Sequence, residues 1–159
     1  MRYLLLLWLA SAAWAQPKFL NTYTATCTLS VSGSAKACTV QQPASGARNV
    51  QLVSAYVHST VAVSLTQERD GTAATTTGVT EASLNDAGGT PTVTGFTDSN
   101  VGVGTVIAGS DTIKLGIDGS AVLDLEDIQM RGNGTAKNYT IRTSAVTGTV
   151  TIIIKWREF

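Results

Sequence analysis

Between Val122 and Trp156 apolar and polar residues alternate with a period of two, which is the spacing of one face of a β-strand. Val150, Ile152, Ile154 and Trp156 fall on one face of the last segment, and Thr149, Thr151, Ile153 and Lys155 on the other. Tyr139, Ile141 and Thr143 oppose Thr140, Arg142 and Ser144 in the same way. This pattern predicts three strands, Ala121–Met130, Tyr139–Ala145 and Thr149–Trp156. Gly132-Asn133-Gly134 and Thr147-Gly148 between them offer residues suited to tight turns. A helix would need a 3.6-residue apolar repeat, and none is present in this region.

The opening residues are read separately. Arg2, the apolar run Leu4–Leu9 with Ala10, and Ala13-Trp14-Ala15 have the layout of a secretory signal peptide covering 1–15. That run is short of the roughly 20 residues needed to cross a bilayer as a helix. Residues 16–159 suit a single domain, secreted or otherwise extracytoplasmic.

Thr, Val, Ser and Gly dominate the rest, residues that favour strands or punctuate them. Lys18–Val40 reads as a hairpin about Ser32-Gly33, which would set Cys27 opposite Cys38. Directly opposed strand residues lie within the range a disulfide accepts, so this pair is expected to be bonded. Further strands are expected at Asn49–His58 and Thr60–Glu68, the second ended by Arg69-Asp70-Gly71. Weaker ones follow within Thr72–Asn85, at Pro91–Thr97, within Asn100–Ile107 and at Thr112–Ile117. About nine short strands without a helix predict an all-β, antiparallel sandwich. A pair of cysteines only eleven positions apart is unlike the distant pair of an immunoglobulin domain, which favours a jelly roll.

Charge excludes some functions. Eleven basic and eleven acidic residues balance, and no run of like charge occurs, so neither nucleic acid nor an anionic membrane is an expected partner. Insertion as an outer-membrane barrel is disfavoured by Lys155 and Arg157, which share a face with Phe159. No cofactor or metal is expected. His58 is the only histidine, no Gly-x-Ser-x-Gly elbow exists, and Asp111, Asp118 and Asp124 form no calcium loop. Asp124 and Glu126 could pair as acid and base, but they alternate with Leu123 and Leu125 and are expected to face solvent. The chain is therefore read as non-enzymatic.

Of the aromatic residues, Tyr139 and Trp156 are in phase with core positions, which leaves Phe96 as the candidate ligand contact. Asn133 and Asn138 begin formal N-glycosylation sequons. The exported, one-disulfide, all-β design is similar in outline to fimbrial subunits and to small jelly-roll proteins that trimerise or coat surfaces. The expected function is a structural or interaction module that self-associates or binds a cell-surface or glycan partner. Ile153, apolar on the face opposite Ile152 and Ile154, points to burial on both sides of the last strand. The alternatives are a carbohydrate-binding module using Phe96, and a pilin-like subunit donating Gln16–Thr28 as a strand.

Overall fold

The computed structural model describes residues 21–45, 48–70, 78–79, 81–84, 91, 93–98, 104–107, 112–132 and 134–159. The expected signal peptide, Asp111 and Asn133 lie outside them. The described residues contain thirteen strands, rather than about nine, and no helix. Two expected strands are each split, with Gly78–Val79 and Glu81–Ser83 inside Thr72–Asn85, and with Gly119–Asp124 and Gln129–Arg131 in place of Ala121–Met130.

Two antiparallel sheets pack face to face. One contains β1 (Asn21–Ser32), β3 (Asn49–Ser59), β6 (Glu81–Ser83), β10 (Gly119–Asp124), β11 (Gln129–Arg131) and β13 (Thr147–Glu158). The other contains β2 (Ala37–Gln42), β4 (Val63–Arg69), β5 (Gly78–Val79), β7 (Thr94–Asp98), β8 (Thr105–Val106), β9 (Ile113–Leu115) and β12 (Lys137–Thr143). They are called the β1 sheet and the β2 sheet below.

The pairing is nested from the chain ends inward. β1 pairs with β13, β2 with β12, β3 with β10 and β11, and β4 with β8 and β9. The chain is thus one long hairpin, rolled so that β13 also meets β3 and β12 also meets β4. That is jelly-roll topology. Among the described residues, no two strands adjacent in sequence pair as neighbours within a sheet.

Two expectations are corrected by this topology. Cys27 and Cys38 are disulfide-bonded, but not within a hairpin. Cys27 lies on β1 opposite Ile152, Cys38 lies on β2 opposite Ile141, and the bond joins the two sheets through the core. Ser32-Gly33 carries the chain from sheet to sheet as an arch, with Gly33 at φ 76° and its N–H bonded to the Val146 carbonyl at 2.8 Å. The C-terminal block likewise is no meander. β12 and β13 belong to different sheets, and Thr147-Gly148 sits at the start of β13.

The arches stack on one another at this end of the sandwich. Thr143 N–H donates to the Lys36 carbonyl (2.8 Å) and Ser144 N–H to the Ser64 carbonyl (2.7 Å). Thr60 N–H donates to the Thr149 carbonyl (3.0 Å). A Cβ on Gly148 would overlap the Val61 side chain, which explains the glycine by space rather than by turn conformation. Hairpin-like turn residues are used here to let three cross-sheet connections lie against one another.

The expected strand 121–130 is interrupted. Leu125–Ile128 forms a turn closed by Ile128 N–H to the Leu125 carbonyl (2.8 Å), with β10 and β11 both resting on β3. The β13–β3 register shifts beside it, between Lys155 and Trp156, so that Val53 is bypassed. Such bulges bend a sheet and redirect its side chains.

The core fills the space between the sheets, as the alternation required. Val150, Ile152, Ile154 and Trp156 are all fully buried. Tyr23 stacks on Trp156 with ring centroids 5.9 Å apart. The Glu158 carboxylate is buried beside them, accepting from Trp156 Nε1 (3.3 Å), Val93 N–H (3.2 Å) and Arg48 (3.3 Å). Its charge is compensated in place, which marks it as a structural group.

Candidate binding cleft

The sequence-selected residues do not converge. The disulfide lies in the core. Phe96 lies on β7, its backbone paired with Thr39 and Gly78; its side chain is outside the described residues. Gly95 beside it is a site of close packing, since a Cβ there would come within 2.6 Å of Val79 and 2.9 Å of Ala25. Asn138 is buried, so its sequon is closed in the folded chain. Asp124 and Glu126 are both exposed, and Asp124 accepts a local bond from Glu126 N–H (3.1 Å). His58 stands on β3 between Ser120 and Thr151. Among the described residues no three His, Cys, Asp or Glu side chains gather as metal ligands, and no helix could cross a membrane.

A cleft of about 640 Å³ opens where β4 and β12 of one sheet diverge from β11 of the other. β4 delivers Arg69 to its rim and then turns at Asp70, whose φ of 59° is left-handed. The turn is held by Asp70 N–H to the Asn138 carbonyl (3.1 Å) and by the Lys137–Asp70 ion pair (3.2 Å). The opposite wall is Asp127, Ile128, Gln129, Met130 and Arg131, from the interrupting turn and β11. Met130 is buried and Ile128 half-buried, and with Ile107 they form an apolar floor. Ile107 is fixed by its N–H to the Gln67 carbonyl (3.1 Å).

Three cations and two carboxylates thus line one opening, a net charge near +1. Lys137 is paired, whereas Arg69 and Arg131 have no ion-pair partner among the described residues. Both residues are exposed. A cleft of this size, with an apolar floor and a few charged groups, is suited to holding a small polar ligand. Sequence reading missed it because its parts are about sixty residues apart. The signal available was weak: Arg69, Arg131 and Lys137 each adjoin a turn segment.

Compared with protein-family models, with curated proteins and with solved structures, the chain matches none.

Proposed function

We propose that this chain is an extracytoplasmic, non-enzymatic interaction module that self-associates through the outer face of the β1 sheet. The observation that carries the reading is a row of side chains across that face. Register aligns Val122, Tyr56, Ile153 and Thr26 on four neighbouring strands. Val122 is 72% exposed and Tyr56 41% exposed, large apolar groups on an otherwise Ser- and Thr-rich surface. The next row holds Asp124, Ser54 and Lys155.

This face is self-complementary. A two-fold axis along β3, in the plane between two copies, sets Val122 on Ile153, Tyr56 on its own counterpart, and Asp124 on Lys155. On the outer face of the β2 sheet Ala37, Thr39, Thr140 and Glu68 are buried, and among the described residues Val106 at its margin is the large apolar group exposed there. The outermost strands β5, β6, β8 and β9 have only two or three residues each, which blunts edge-to-edge pairing and leaves β10, with six, as the longest edge among the described residues. Strand donation by Gln16–Thr28 has less support, because Asn21–Thr28 are paired with β13 along their whole length. The core disulfide fits an oxidising compartment, which agrees with export.

Light scattering across a concentration series tests the reading. A dimer or larger assembly is expected, weakened by Val122→Lys and by Lys155→Asp, with Asp124→Lys restoring the latter. A monomer at every concentration overturns it.

A further inference from the structure

Independently of self-association, we propose that the cleft between β4, β12 and β11 binds a small hydroxylated carboxylate of the uronic acid class.

The geometry points to an anion. Arg69 belongs to one sheet and Arg131 to the other, so an oxyanion between them would bridge both walls. A guanidinium stays charged at all physiological pH and presents a planar fork that matches a carboxylate. Both lack an ion-pair partner among the described residues, so a ligand would not have to displace one.

The rest of the lining selects among anions. Asp70 already neutralises Lys137 at 3.2 Å, and Asp127 adds a second negative group. A net charge near +1 favours a monoanion over phosphate or a sulfated chain, which would bring two or more charges against those carboxylates. Carboxylates accept hydrogen bonds from hydroxyls, so Asp70 and Asp127 suit a ligand with several of them. Ile128 and Met130 offer a surface for the C–H face of a sugar ring. A volume of about 640 Å³ accommodates a mono- or disaccharide.

The test is calorimetric titration of the intact protein with galacturonate and glucuronate, with galactose and glucose as neutral counterparts, and with inorganic phosphate. A uronate is expected to bind at least about tenfold more tightly than its neutral counterpart, and Arg69→Gln or Arg131→Gln should each weaken it about tenfold. Both positions are exposed, so an unchanged Tm will show that these variants fold. Equal binding of neutral sugars, or uronate binding indifferent to both substitutions, overturns the proposal. Phosphate binding as tightly as uronate overturns the choice of carboxylate, and no binding of any probe overturns the site.

Discussion

Arg142 grips Glu68 through two hydrogen bonds, 2.8 Å from Nε and 3.1 Å from a terminal nitrogen, on the face of the β2 sheet turned away from the core. Only 4% of the Glu68 side chain is exposed, and its second oxygen also accepts from Gly104 N–H at 3.0 Å. An uncompensated carboxylate in such a place is costly, so Arg142→Met should destabilise the fold by about 3–5 kcal/mol. Adding Glu68→Gln should recover much of that loss. Urea unfolding of the single and double variants measures both, and a single variant as stable as wild type would contradict this account.

The Cys27–Cys38 bond ties the sheets together across the core, with Cα atoms 5.8 Å apart. Cys27→Ala with Cys38→Ala is expected to lower stability by about 2–4 kcal/mol. Wild-type protein unfolded in reductant should show a similar drop. Had the bond only joined two strands of a local hairpin, its loss would chiefly expose that hairpin. Here hydrogen exchange should rise in both β1 and β2 while β13 and β12 remain their partners.

Gly148 gives a sharper test of the stacked arches. Its would-be Cβ overlaps Val61, so Gly148→Ala should cost about 1–3 kcal/mol through overpacking. Val61→Ala removes the obstruction, and the double variant should be more stable than the sum of the singles predicts. Strict additivity would mean that the two side chains do not meet.

Tyr139 donates its hydroxyl to Gln67 Oε1 at 2.8 Å and is fully buried. Burial pushes its phenol well above the usual tyrosine value of about 10, because the charged form is disfavoured in the core. The folded state therefore holds this proton where the unfolded chain releases it. The associated stability is fully present below about pH 10 and is lost as pH rises further. Alkaline denaturation followed by tyrosine absorbance should show the Tyr139 phenol ionising only as the fold is lost, and Tyr139→Phe should reduce the amplitude of that phase.

Much of the core was legible in the sequence. A strand places alternate side chains on opposite faces, so the order of apolar residues alone identifies Val150, Ile152, Ile154, Trp156 and Ile141 as inward-facing. It likewise assigns Asp124 to solvent. These are local properties of a pleated chain, set by residues next to one another. Glu126, by contrast, is exposed in the Leu125–Ile128 turn, and the cysteine pair forms across the core, not in the hairpin that suggested it.

Partner choice is different, because a period of two is satisfied equally by a hairpin neighbour and by a strand a hundred residues away. Ser32-Gly33 and Thr147-Gly148 look like hairpin turns, yet the first opens an arch between opposite sheets and the second lies within β13, just after another such arch. Only the packed structure decides between hairpin and arch, since the outcome depends on how all the apolar faces are buried together. The same holds for the cleft: Arg69, Asp127 and Arg131 meet because rolling the chain brings the end of β4 towards β11. Local alternation determined which side chains face inward, and the closing of two sheets over one core determined which strands and charges came together.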